Sequence, residues 1–416
     1  MSCRLLFSHP TGNAFAKAAL SCLYEAGMLA EFHTSVASYP GNIWDALSRN
    51  RWGKDFQRRK FDHCLQPLTV QHPFRELGRL MASRFKCGGL TRHETGPFCL
   101  DAIYRRQDQM TARRLRRRPK LFTGVYVFED GALDTLAVAK QQGLLRLYDL
   151  PIGYWRSARK LLHGELERHP EWRNTLTNFN DSTEKLDRKD AELASASRVI
   201  VASSFTASTL KDYPAQSVPH VVVPYGFPSI GPEPTRFGRR AGRDKSLRLL
   251  FVGSLSQRKG IADLFAAMNI LGQAVSLTVI GNRVTDDCPA LDRELAKHRY
   301  IQSLPHEQIL EEMRVHDVLV FPSLFEGFGL VITEAMSQGT PVITTERTAG
   351  PDLITHGHNG WLIQAGSTDA LVQQLEQLIA NPEHVLAVAV NARQSAAARP
   401  WSSYGGELVA AIVSPL

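Results

Sequence analysis

Short apolar runs recur along the chain, and each is followed by a stretch with helical spacing. In the first half they fall at 4–9, 124–128, 144–148, 198–202 and 221–223, and in the second at 248–253, 276–281, 300–305, 317–321 and 342–344. Runs that are apolar at successive positions, rather than at every second one, suit strands buried on both faces, as in parallel sheets. Helices are expected over 14–30, over 132–142 (stopped by Gly143), over 185–197, after the capping Ser203, over 261–271, from about Leu330, and over 369–380 and 383–397. Alternation of this kind predicts doubly wound α/β units. Arg248-Leu-Leu-Phe repeats Arg4-Leu-Leu-Phe, so a second unit opens there. Residues 228–246, rich in Pro, Gly, Arg and Ser, read as the linker. The expected division is 1–227, linker 228–246, and 247–399, with 400–416 left over. Between 40 and 120 the pattern resolves no clear elements.

The most informative stretch joins two of these strands, at 321–339. Gly327 and Gly329 carry no Cβ, so a bulky polar ligand can approach the backbone. The helix beginning near Leu330 offers free N–H groups and a positive end to an anion. Glu326 precedes the loop and Glu334 lies about one turn into the helix. Carboxylates accept hydrogen bonds from sugar hydroxyls while N–H groups take phosphate, which suits a nucleotide sugar. The spacing alone leaves open an ordinary strand–turn–helix unit with two solvated glutamates. Ahead of helix 261–271 stand Arg258 and Lys259, a fork and a point charge suited to a diphosphate, or a solvated basic pair. Gly12 and Asn13 form the turn after the first strand. Glu129, Asp130 and Asp149 stand at the ends of adjacent predicted strands, where such sheets hold ligands, or serve as helix caps. Tyr154 and Trp155 suit either sugar stacking or the core.

Taken whole, Pro322-Ser323, Glu326-x7-Glu334-Ala-Met and Gly339-x-Pro341-Val resemble the signature of the family 4 retaining glycosyltransferases. The resemblance covers 248–400 in its motifs and the first half in organisation. It implies a GT-B architecture: α/β, two Rossmann-like doubly wound domains facing across a cleft, with 401–413 crossing back onto the first. It also implies transfer of a hexosyl-type sugar from a nucleoside diphosphate sugar to an acceptor hydroxyl, with retention of configuration, in polysaccharide or glycolipid biosynthesis. Donor contacts would come from Gly12, Asn13, Arg258, Lys259, Ser303, Leu304, Glu326, Gly327, Phe328, Gly329, Leu330 and Glu334, with Glu326 on the sugar hydroxyls and Glu334 on the ribose. Arg258, Lys259, Glu326 and Asp149 are the catalytic candidates. Asp149 stands where many relatives carry a histidine, Ser254 where many carry an arginine, and Asp352 replaces a glutamate. The leaving phosphate would take the acceptor's proton. No Asp-x-Asp triplet occurs, so Arg258 and Lys259 are expected to do the electrostatic work of a metal, with no metal and no cofactor beyond the nucleotide sugar. Two alternatives stay open: a nucleotide-sugar epimerase of the same architecture, and a non-catalytic membrane- or polyanion-binding protein.

Charge changes the picture of the first half. The chain of 416 residues carries a formal net charge of +8. Residues 1–230 hold 33 Lys/Arg against 22 Asp/Glu, and residues 231–416 hold 16 against 19. The basic residues cluster at Arg49, Arg51, Lys54, Arg58, Arg59 and Lys60, and again at Arg105, Arg106, Arg113, Arg114, Arg116, Arg117 and Arg118. They are a solvated face or a contact for anionic lipid or a phosphate-bearing acceptor. Without interleaved aromatics or a known module, nucleic acid is not expected as a partner. The acceptor is expected to be a saccharide or lipid-linked molecule. No apolar run is long enough to span a bilayer and the first strand is too short for a secretory leader, so a cytoplasmic protein is expected, either free or peripheral on the cytoplasmic face of the membrane. The six cysteines are scattered, without a C-x-x-C pair, and predict reduced thiols.

Overall fold

The computed structural model describes residues 3–48, 54–215, 218–232 and 246–414. Arg49, Arg51, the side chain of Lys54 and most of the expected linker (233–245) lie outside the described residues.

Two parallel sheets form. The first holds β1 (Leu5–Ser8), β2 (Leu29–Thr34), β3 (Thr69–Gln71), β4 (Gly124–Phe128), β5 (Leu145–Leu150), β6 (Arg198–Val201) and β7 (His220–Val222), in the order β3-β2-β1-β4-β5-β6-β7. The second holds β8 (Leu247–Val252), β9 (Val275–Ile280), β10 (Arg299–Ile301), β11 (Val318–Phe321), β12 (Val342–Thr345) and β13 (Trp361–Ile363), in the order β10-β9-β8-β11-β12-β13. In each, the order reverses beside the first strand, which is the switch point of a doubly wound sheet. β1, β4, β6, β11 and β12 are buried along their whole length, as runs without alternation require. This is the GT-B architecture.

One expectation is corrected. The helix predicted over 14–30 spans only Ala14–Glu25. Gly27 takes a positive φ of 67°, which turns the chain, and Leu29–Thr34 becomes β2, parallel to β1. The apolar positions after Gly27 belong to a strand that continues the core.

The sheets share more than a linker. The helix Trp401–Val413 returns to pack along Ala14–Glu25, with Tyr404, Leu408 and Ile412 in the first sheet's core. Gly405 allows that approach, because a Cβ there would collide with the Cys22 thiol. In the other direction, Trp172 lies in the second sheet's core and stacks on Phe265 at 5.9 Å. The described part of 40–120, unreadable as a pattern, forms β3, short helical turns and two longer helices, Phe74–Arg84 and Leu100–Arg117.

Candidate functional site

Two loops at the C-terminal edge of the second sheet are joined to each other. After β8 the chain makes a short turn, Gln257–Lys259, and Gly260 enters the helix Ile261–Leu271 with a φ of 70°. A side chain at Gly260 would strike the Pro322 carbonyl of the loop after β11. The Arg258 carbonyl accepts from the Leu324 N–H at 2.9 Å and from the Ser323 hydroxyl at 3.2 Å. These bonds bring Arg258 and Lys259 onto Glu326. Arg258 Nη1 donates to the Phe325 carbonyl at 2.7 Å and to the Glu326 carboxylate at 3.1 Å, and Lys259 Nζ donates to the same carboxylate oxygen. Lys259 also sits 4.7 Å from the centre of the Phe321 ring. Burial pushes the Glu326 carboxyl up, but Lys259 and Arg258 outweigh it and hold it at about 2. Burial, with Arg258 beside it, works against the charge on Lys259.

The glycine loop follows. Gly329 adopts a φ of 88° and opens the helix Leu330–Ser337. Among the described residues, the N–H groups of Gly327, Phe328 and Gly329 find no acceptor. They leave a short arc of donors at a helix N-terminus, next to two cations. Glu334 lies one turn on, its carboxyl raised by burial and opposed by His306, whose Nδ1 is 4.0 Å away. Ser303 and Leu304 connect β10 to the helix His306–Val315; Ser303 is exposed and Leu304 packs partly on the core.

The approach that Gly327 permits is made by the first sheet's loops. A Cβ at Gly327 would collide with the Pro151 carbonyl. The Gly327 carbonyl accepts from the Ser203 hydroxyl at 2.5 Å and the Thr206 hydroxyl at 2.9 Å. The Asp352 carboxylate accepts from the Ser204 N–H at 2.9 Å. The Phe328 side chain is buried against Tyr225, with ring centres 4.8 Å apart. Sequence reasoning read Ser203 only as the helix cap it also is, and missed Thr206 and Pro151, which are far from the loop along the chain and carry no pattern of their own.

On the first sheet, Gly12 has a φ of 60°, and a side chain there would run into the Phe61 ring. The Asn13 carbonyl oxygen caps the following helix, accepting from the Ala16 N–H at 3.0 Å. Asp149 is enclosed, 3% exposed, and accepts from the Tyr126 hydroxyl at 2.6 Å; burial raises its carboxyl to about 7. Glu129 pairs with Lys189 at 3.3 Å, and Asp130 lies 3.6 Å from both Lys189 and Arg188. Tyr154 and Trp155 both donate to Asp190, at 2.6 and 2.7 Å; Tyr154 is buried, and the half-buried Trp155 ring has the Arg156 guanidinium over it at 4.1 Å. The structure therefore gathers Arg258, Lys259, Glu326 and the glycine loop into one cluster. It sets Asp149 into a tyrosine-lined interior.

Two groups among the described residues could hold a cation: His93, Glu94 and Asp181, and Glu165, His169 and Asp263. In the second, the Arg168 guanidinium already bonds Asp263 and lies 3.3 Å from Glu165.

Parts of the sequence, and the fold, resemble known proteins. Residues 235–395 match the family described as glycosyl transferases group 1. The segment takes in the whole Arg258–Glu326 cluster and Glu334. A lipopolysaccharide 1,6-galactosyltransferase of Salmonella typhimurium is 33% identical over 146 residues, which is 33% of this chain and 41% of that protein. The amylovoran biosynthesis glycosyltransferase AmsK of Erwinia amylovora is 28% identical over 205 residues, 42% of this chain and 48% of that protein. The chain thus spans less than half the length of these curated relatives. Among solved structures, sucrose-phosphate synthase from Thermosynechococcus elongatus superposes with a TM-score of 0.66 at 16% identity, covering 98% of each chain. Anabaena HepE in complex with UDP-glucose does so with a TM-score of 0.61 at 16% identity, covering 99% of this chain and 100% of that one. These two likenesses concern the fold. Outside the group 1 segment, among the described residues, no helix is long and apolar enough to cross a membrane, nor is any inside it.

Proposed function

We propose that this chain is a glycosyltransferase that moves a sugar from a nucleoside diphosphate sugar to an acceptor hydroxyl, with retention of configuration, in the building of a polysaccharide or glycolipid. The observation that carries the reading is the Arg258–Lys259–Glu326 cluster beneath the unpartnered N–H groups of Gly327, Phe328 and Gly329. Two cations and a row of N–H donors fit a diphosphate. They stabilise it most as it leaves and gathers charge, so the cluster acts on the transition state more than on the bound donor. Glu326 holds the cations in place until a phosphate displaces it, and is then free to accept hydrogen bonds from sugar hydroxyls. Glu334, raised towards neutrality by burial, suits a ribose hydroxyl. Arg258 and Lys259 supply the positive charge a metal would otherwise bring.

A thermal-shift screen against UDP, GDP, ADP and their common sugar conjugates, with and without EDTA, tests this. Stabilisation by one nucleotide and its conjugate, unchanged by EDTA, is expected. No shift with any of them would sink the reading.

A contact with anionic membrane is part of the proposal, and one surface favours it. On and beside the helix Phe74–Arg84, Phe74, Met81 and Phe85 are 78%, 61% and 68% exposed. Arg75, Arg84 and Lys86 stand on the same segment. Apolar rings beside basic side chains suit the boundary between headgroups and acyl chains. The neighbouring helix Leu100–Arg117 contributes exposed Arg113, Arg116 and Arg117, while Arg114 is held by a forked pair of bonds to Glu31.

A further inference from the structure

His9 directly follows the first strand and opens the turn that carries Gly12. Ser8 pairs with Val127 on β4, and Phe128 pairs with Asp149 on β5. One step beyond Ser8, His9 therefore joins Phe128 and Asp149 in a row across three strand ends, and its ring meets Phe128 edge-on at 4.6 Å. This row lies at the C-terminal edge, where sheets of this kind hold ligands.

The two ring nitrogens of His9 are used differently. Nδ1 accepts from the backbone N–H of Gly12 at 2.8 Å and of Thr11 at 3.2 Å. Two donors converging on Nδ1 leave the ring proton on Nε2. Burial holds the imidazole neutral, with its pKa lowered to about 3. Nε2–H has no acceptor among the described residues. His9 as a whole is 2% exposed, yet Nε2 is not among the sealed polar atoms that lack a partner, so it keeps a little access to the surface. An oriented N–H donor on a nearly enclosed ring, open only at its tip and without a protein acceptor, is placed to meet a ligand, and here it sits beside the turn of the first sheet. The glycine loop is close by. Phe15, next to His9 at 6.3 Å, stacks on Tyr225 at 5.4 Å, and Tyr225 packs on Phe328.

We propose that His9 contacts the substrate: its Nε2–H donates to a hydroxyl oxygen of the sugar carried by the nucleotide donor, from the first sheet's side of the cleft. This rests on the nucleotide-sugar reading above. A neutral N–H suits a hydroxyl, whereas the diphosphate has Arg258, Lys259 and the glycine loop. The same ring fixes the Gly12 turn through Nδ1, so one side chain shapes the turn and reads the sugar.

The test compares His9→Phe, His9→Asn and His9→Gln. An asparagine amide reaches the Nδ1 position and can still accept from the Gly12 N–H, whereas a glutamine amide reaches the Nε2 position and can donate. Binding of UDP and of UDP-glucose, and of GDP and GDP-mannose as a second pair, is measured by calorimetry, with transfer rates alongside. His9→Phe and His9→Asn should leave nucleoside diphosphate affinity within twofold of wild type and weaken the sugar conjugate about tenfold. His9→Gln should recover most of that loss. Equal weakening of nucleotide and conjugate, or a glutamine variant no better than the asparagine one, would overturn the inference and leave His9 a scaffold for the turn. If His9→Phe does not fold, the asparagine–glutamine comparison still decides. Wild-type protein that binds none of the four probes would overturn the donor reading and this inference with it.

Discussion

Phe328, from the glycine loop of the second sheet, is buried against Tyr225, which belongs to the first sheet's core. The loop that offers its N–H groups to a ligand is thus anchored by its own side chain in the opposite domain. Phe328→Ala should cost about 3 kcal/mol, the range for removing a buried aromatic ring. It should also weaken nucleotide binding, since the loop loses its anchor. Denaturant unfolding followed with and without nucleotide checks both; an unchanged midpoint would show that the contact carries no weight.

Glu326 and Lys259 should respond in opposite ways. Glu326→Gln removes the carboxylate that competes with phosphate for the two cations, so nucleoside diphosphate binding is expected to hold or tighten while sugar transfer falls at least tenfold. Lys259→Ala removes a charge-assisted partner of the diphosphate and should weaken nucleotide binding about tenfold or more. Calorimetry on the two variants, with transfer rates, separates the roles. Parallel loss of nucleotide affinity in both would mean that Glu326 orders the site instead of occupying it.

Asp149 gives a pH signature. Burial raises its folded carboxyl to about 7. A group raised on folding stabilises the native state fully at pH below its ordinary value and loses that contribution as pH climbs through the folded one. Asp149→Asn should therefore gain on the wild type between about pH 4 and 7, levelling off at a few kcal/mol by the rule of ~1.4 kcal/mol per pKa unit. Glu129 and Glu192 are raised by burial as well, to about 7 and 8, so the difference between variant and wild type is the quantity to follow in thermal melts across pH. A difference that stays flat would place the Asp149 charge in a solvated setting.

Vesicle sedimentation tests the membrane surface. Wild-type protein should bind vesicles rich in anionic lipid and release as salt rises. Phe74→Ser together with Phe85→Ser should lower that binding at least tenfold and leave nucleotide affinity unchanged. Binding that persists in this variant but falls when Arg113, Arg116 and Arg117 are neutralised would shift the contact to the helix Leu100–Arg117.

Much of this architecture was legible because parallel strands buried on both faces leave unbroken apolar runs. β4 was read with the bounds it has, as was the helix Ile261–Leu271, with glycine before and after it. β2 was not, because Leu-Ala-Glu-Phe-His-Thr has no such run and continues an apolar spacing begun in the helix before it. The described part of 40–120 resisted because β3 has three half-buried residues and the helices are short or half exposed. At the site, residue types and spacing offered Arg258, Lys259, Glu326 and the glycines as candidates, and the family resemblance singled them out. The ion pairing among them was not readable, since it depends on two loops joined through the Arg258 carbonyl. Gly327 could be read as room for a ligand, but only the fold shows that Pro151 fills it. Asp149 was placed correctly at a strand end; that Tyr126 encloses it follows from cross-strand packing, which no local pattern records.

The return of Trp401–Val413 onto Ala14–Glu25 also sets an order of events during synthesis. The helix that covers the first sheet's apolar face leaves the ribosome after the entire second sheet. At ordinary translation speeds the first sheet waits on the order of ten to thirty seconds for its last layer. Through that interval Ala16, Leu20 and Leu23 lack the partners they have in the finished core. Apolar surface left uncovered in this way is what chaperones bind and what aggregates, and here it stays open at a stage when the first half has been made but cannot be finished.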